Sequence, residues 1–239
     1  MTEELKSNSR SRAIGVVVMS LMGLLILALI LPGLQATRGS RRHEGVNRLR
    51  NVSLGYLNSC VQADAVIKDV FSEHGEAVHS WETLLLPAMD ESALFRRIDL
   101  GQAWDTEANR DVMKTRLSFF QSPDMKGQYD VQVGTGFALS HLSANSRLWN
   151  DERVKIFDDL ESRCSKTILI GEIREGFLPW GQPGNLRDPA LGLNVPDGFG
   201  HPRKTGVLFA FGDGHVEFVD AGVDQRVLET MATPVDEEF

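Results

Sequence analysis

The chain has 239 residues, a formal net charge of −8 and two cysteines. Beyond its apolar N-terminal run, that length suffices for one domain with a real core. An acidic balance without a basic stripe argues against nucleic acid as partner. Cys60 and Cys164 are too few for a disulfide scaffold, and their spacing fits no metal knuckle.

After a tail over residues 1–12, Ala13–Thr37 runs without a single charge. About 20 apolar residues cross the hydrocarbon core of a bilayer as a helix, so residues 13–37 are expected to be a transmembrane helix. The stretch is longer than the apolar core of a cleaved signal peptide. Leu34-Gln35-Ala36 is a poor cleavage site, and no cysteine follows to take a lipid. Lys6, Arg10 and Arg12 precede the run, whereas Arg38, Arg41, Arg42, Arg48 and Arg50 follow it. By the positive-inside rule alone, that count favours an outside N-terminus.

Beyond the bilayer, the helix is expected to continue over residues 38–74, with a kink at Pro32. Leu49, Val52, Tyr56, Cys60, Ala63, Ile67 and Val70 recur at spacings of three and four, the pattern of one apolar helix face. His74-Gly75 reads as the stop. Two helices separated by a loop at Arg38–Glu44 are the alternative.

Residues 75–239 read as a mixed α/β globular domain. Trp81–Pro87 is a short apolar segment, and Asp90–Ile98 supports a helical turn or two. Strands are expected at Arg116–Phe120 and Tyr129–Gly134. Arg147–Asp158 is polar and irregular. Lys166–Ile173 is a buried strand by its β-branched content. Phe177–Gly200, rich in proline and glycine, is a long surface loop. Val207–Phe211 and His215–Val219 flank Gly212-Asp213-Gly214, the strongest hairpin signal in the chain. The alternation along the return strand sends Glu217 outward and Val216 and Phe218 inward. Asp224–Met231 closes as a short helix.

His201, Asp213 and His215 are the right residue types for a metal cluster. Asp213 with Asp220 and Asp224 would suit calcium, although the spacing matches no defined loop. The local reading is that Gly212, Asp213 and Gly214 fill a tight turn while His201-Pro202 enters another; on it, no metal or other cofactor is expected. Gly134-Thr135-Gly136 lacks the third glycine of a phosphate loop and reads as a turn. His79 reads as packing. Trp81, Trp104 and Trp180 either line a carbohydrate groove or anchor loops on the core. No nucleophile elbow is present, and the chain is expected not to be an enzyme.

Several segments, in order, resemble a bacterial family catalogued as domain of unknown function 1559. LILALILPGLQATRGSRR is similar to that family's LIALLLPAVQAAREAARR, and NRLRNVSLGYLN to its NNLKQIGLALHN. HSWETLLLPAMDESALFRRIDLGQAWD resembles HSWRVLLLPYLEQ…LYxxIDxxxPWD. SKTILIGEI, PWGQPGNL and GHPRKTGVLFAFGDGHVEFV have counterparts as well. The family's C-terminal H-x9-D-G becomes H-x11-D-G here, from His201 to Asp213-Gly214. The family's prepilin Gly-Phe and Glu would fall at Arg10-Ser11 and Gly15, so the processing signature is missing. Its two usual cysteines would fall near Gly45 and Gln121.

The resemblance implies an α+β, pilin-like fold: a long N-terminal transmembrane and amphipathic helix packed on an antiparallel β-sheet with long loop insertions. It implies a single-pass protein of the cytoplasmic (inner) membrane, N-terminus inside and globular domain extracytoplasmic, against the charge count above. The implied role is a pilin- or pseudopilin-like structural or assembly subunit. Its partners would be the lipid bilayer and pilin-like or secretion-system subunits met through the N-terminal helix. A static single-pass binding module that keeps the fold without assembling is the alternative. Outside the cytoplasm, Cys60 and Cys164 either bridge, closing a loop of about 100 residues, or stay as buried thiols.

Overall fold

The computed structural model describes residues 19, 20, 22, 23, 26, 40–150 and 164–233. The chain divides into two compact units, Met1–His43 and Glu44–Phe239. In the first, Met19, Ser20, Met22, Gly23, Ile26 and residues 40–43 are helical. The expected span over 13–37 otherwise lies outside the described residues. Among the described residues, no helix is long and apolar enough to cross a membrane.

The second unit begins with helix α1, residues 44–63. Leu49, Val52, Tyr56 and Cys60 are buried on one face, as their spacing requires. The helix stops well before His74-Gly75. Asp64 adopts a left-handed backbone (φ 50°), and the Ala65 N–H closes on the Cys60 carbonyl at 3.2 Å. Ile67 and Val70, expected on the same helical stripe, are partly buried in the non-helical segment that follows. Ile67 stays beside the helix end, where its carbonyl accepts from Tyr56 Oη at 3.1 Å and its N–H reaches Cys60 Sγ at 3.5 Å. Strands β1 (Val70–Phe71) and β2 (Ala77–His79) then pair antiparallel, with Gly75 in the turn between them.

Short elements follow: α2 (Trp81–Leu85), a 3₁₀ turn at Leu86–Met89, α3 (Ser92–Phe95) and α4 (Glu107–Arg110). The strands expected at Arg116–Phe120 and Tyr129–Gly134 do not form. Ser118–Phe120 is a 3₁₀ turn that buries Leu117 and Phe120, three residues apart rather than two. Residues 129–134 contribute one isolated bridge, Val131 to Ala138.

The main sheet has the order β5-β3-β4-β6-β7. Its strands are β3 (Leu142–Asn145), followed by α5 (Ser146–Asn150), then β4 (Ile168–Glu172), β5 (Leu186–Arg187), β6 (Gly206–Phe211) and β7 (Val216–Asp220). Every pair is antiparallel except β3 with β5. The wholly antiparallel sheet expected from the sequence thus gains a parallel edge, because β5 returns through a long connection rather than a hairpin.

Both faces of the sheet are covered. Leu208 and Ala210 share a cluster with α1, Trp81 and Trp149. Val207, Phe209 and Phe211 join Ile168, Phe199, Val219 and Leu228 on the opposite face. Leu228 belongs to α6 (Gln225–Ala232), which Asp224 caps through the Arg226 N–H. Gly171 makes this layering feasible: a Cβ there would lie 2.5 Å from the Phe209 ring and 2.7 Å from Phe199. On β7, Glu217 is exposed while Val216 and Phe218 pack against the α1 side.

Candidate functional site

The hairpin tip is built from local interactions. Gly214 takes the positive φ of 85° that a β-carbon resists, and its N–H closes on the Phe211 carbonyl at 2.9 Å. The Gly212 N–H ties the turn to Thr167, just before β4. Asp213 accepts from the His215 backbone N–H at 3.0 Å and from its ring Nδ1. Partial burial pushes the Asp213 carboxyl up, but these His215 hydrogen bonds outweigh it and hold the carboxyl below its usual value. The His215 ring lies flat on Phe211, centroids 4.5 Å apart.

His201 does a different job. Its Nδ1 accepts from the Arg203 N–H at 3.3 Å, which leaves the proton on Nε2, 3.1 Å from Asp124 Oδ2. Arg203 donates to the other Asp124 oxygen at 2.6 Å. His201 thus fastens the Ser122–Asp124 turn to the entry of β6. No group of three or more His, Cys, Asp or Glu side chains among the described residues is placed to hold a metal. Asp220 and Asp224, the other calcium candidates, accept from the Gly222 and Arg226 N–H groups.

Two buried polar clusters were not anticipated from the sequence. In the first, Arg48 of α1 meets Glu172 of β4 at 2.6 Å, both side chains almost wholly buried. Ser122 Oγ donates to the same carboxylate oxygen at 3.3 Å. The Ser122 N–H donates to His141 Nδ1 at 2.8 Å, and His141 Nε2 donates to the Tyr129 carbonyl at 2.8 Å. Both ring nitrogens are committed to the neutral tautomer, and burial pushes the imidazole pKa down. The available signal was a carboxylate in an otherwise apolar strand, KTILIGEI.

The second cluster grows from residues 79–82, HSWE. Ser80 caps α2 by accepting from the Glu82 N–H, and donates to the Trp180 carbonyl. The Trp81 N–H reaches Asp69 Oδ1 at 2.8 Å, and Asp69 Oδ2 accepts from Gly184 at 2.7 Å. Glu82 Oε1 accepts from Ser140 Oγ at 2.6 Å and from Asn185 Nδ2 at 3.5 Å. Three distant loops are thereby tied to one short helix. His79 is buried beside the Asp99 carbonyl at 3.2 Å, and burial pushes its pKa down.

Trp81 and Trp180 are fully buried and Trp104 packs on Phe137. Their faces are core anchors rather than the walls of a carbohydrate groove. Gly134 and Gly136 both have positive φ in a turn, as their spacing suggests. Cys60 is a buried free thiol, and the side chain of Cys164 lies outside the described residues.

No curated protein and no solved structure matches this chain. The model of a family described as protein of unknown function (DUF1559) matches residues 35–176. That range is more than half the chain and takes in α1, the HSWE segment itself and both partners of the Arg48–Glu172 pair, but not Trp180, Gly184 and Asn185 of the HSWE cluster, nor His201 or the hairpin. The chain belongs to the DUF1559 family.

Proposed function

We propose that the protein is a membrane-anchored, extracytoplasmic subunit related to type IV pilins and secretion pseudopilins, acting by packing rather than catalysis. The observation that carries this reading is α1. Its apolar face is laid on the sheet through Leu49, Val52, Tyr56 and Cys60, and Arg48 is joined to Glu172 in the centre of the head. In sequence, this helix comes shortly after the uncharged run Ala13–Thr37, across the basic segment 38–43. A stem helix seated on a sheet-based head, with an apolar segment before it, suits subunits whose apolar helices associate side by side in lipid or a filament core. The N-terminus is placed in the cytoplasm and the head outside it.

The missing Gly-Phe and Glu of the processing signature favour a second reading: a static single-pass module that displays the same head without assembling. Fractionation and crosslinking in the native cell separate the two. An assembling subunit shears off with filaments and crosslinks into ladders through its N-terminal helix. A static module stays in the membrane fraction as a monomer. Recovery of the intact chain in the soluble fraction would refute both. With the signature absent, mass spectrometry is expected to find peptides from before Ala13 in the mature protein.

A further inference from the structure

Glu82 and Asn185 are both fully enclosed, and their head groups touch. The two amide hydrogens of Asn185 face the Leu142 carbonyl at 2.8 Å and Glu82 Oε1 at 3.5 Å. Ser140 Oγ also donates to Glu82 Oε1. The remaining atoms of both head groups, Glu82 Oε2 and Asn185 Oδ1, are buried without a hydrogen-bond partner. Turning the amide over would set oxygen against the Leu142 carbonyl, so its orientation is fixed. Two acceptors are therefore left over on two groups already in contact, and a buried acceptor without a donor carries its full desolvation penalty.

We infer that Glu82 is held as a neutral carboxylic acid whose Oε2–H donates to Asn185 Oδ1, closing a two-way acid–amide pair that one proton keeps shut. That proton satisfies both orphaned oxygens at once. The surroundings favour it. The charged group acting on Glu82 from the neighbouring segments is Asp69, which is itself negative; Ser140 and Asn185 are neutral. Burial accordingly pushes the Glu82 carboxyl well above its ordinary value.

The pair is a proton-operated latch. It joins α2, the 140–142 segment entering β3 and the connection at 184–186. Loss of the proton puts a buried negative charge against Asn185 Oδ1 and Asp69, which opens the 177–187 connection. Because the folded-state value lies above the unfolded one, the latch contributes fully at acid pH and is lost as pH rises toward the folded value.

The test uses the full chain in detergent micelles with ¹³C-labelled glutamate. Infrared spectra at neutral pH are expected to contain a protonated glutamic-acid carbonyl band that is absent from Glu82→Gln. That band should disappear at the alkaline pH at which protease cutting within 177–187 increases in the wild type. Glu82→Gln, whose amide reproduces both hydrogen bonds, is expected to abolish the alkaline increase in cutting. If Glu82→Gln fails to fold, the wild-type band alone decides. A fully ionised glutamate population at neutral pH would overturn the latch. So would a melting temperature raised by calcium and lowered by chelator, since a cation would then bridge the two oxygens.

Discussion

The β4-β6-β7 end of the head and its loop-rich side, residues 64–141 with 177–204, are stabilised in different ways. In the first, every residue of β4 and β6 is buried, and both faces are covered by apolar side chains. In the second, regular elements are only two to five residues long, and buried polar side chains tie the chain together. Ser80, Glu82, Ser122, His141 and Asn185 each bond backbone or side chains far along the sequence, and Asn109 gathers the nearby 99–103 loop. Burial of apolar area is non-directional and tolerates small shifts. A buried hydrogen bond does not, because an orphaned partner carries its full desolvation penalty. The sheet end should therefore fail globally and the loop side locally.

The largest effects should come from the centre of the sheet and from its pin to the helix. Phe209→Ala is expected to lower stability by about 3–5 kcal/mol and to do so in one cooperative urea transition. Arg48→Ala should cost about as much, since it leaves Glu172 charged, buried and unpaired. The double change Arg48→Met with Glu172→Leu should restore most of the loss. If the double variant is as unstable as the single one, the pair is not held mainly by mutual compensation.

Asn109 isolates the loop mechanism. Its Nδ2 faces the carbonyls of Asp99, Gln102 and Ala103, and its Oδ1 accepts from the Asp99 N–H. Asn109→Ala should cost about 1–3 kcal/mol, with faster amide exchange confined to residues near 99–109. Acceleration spread evenly into β4 and β6 would erase the distinction between the two regions.

The regular end was the more legible one in the sequence. KTILIGEI and VLFAFGDGHVEF announce β4 and the β6–β7 hairpin through β-branched content and an Asp-Gly turn, both local signals. The apolar periodicity of α1 was equally readable as far as Cys60. It misled at Ile67, which lies in the non-helical segment beside the helix end, and at Val70, which begins β1. Leu117 and Phe120 are buried like strand residues, but with the spacing of a 3₁₀ turn. The polar ties were not legible, because their partners lie between about 10 and 120 positions apart and nothing local marks a pair. His201 was singled out, yet its partner, Asp124, could not be.

Smaller effects sharpen the contrast at single turns and single protons. Gly214→Val should cost about 1 kcal/mol or more, because φ is positive there and an added Cβ would lie 3.0 Å from Leu54 Cδ2. His141 can accept from the Ser122 N–H only while neutral, since a proton on Nδ1 breaks that bond and spares only the one to the Tyr129 carbonyl. Its folded-state pKa lies below the unfolded one, so stability should fall as pH drops below about 6.5. NMR of the ring should find it neutral where the unfolded chain's histidines are already charged. His215→Ala, half-exposed at the hairpin's edge, should change stability by less than about 0.5 kcal/mol, as read from thermal melts.

The central claim, an extracytoplasmic head on a membrane stem, is tested most directly by labelling. Val133 is 97% exposed at a turn tip. In a Cys164→Ser background, where Cys60 remains buried, Val133→Cys provides one reactive thiol on the head. A membrane-impermeant maleimide added to intact spheroplasts should label the chain fully, with no further gain on lysis. Labelling that appears only after lysis would place the head in the cytoplasm and contradict the account.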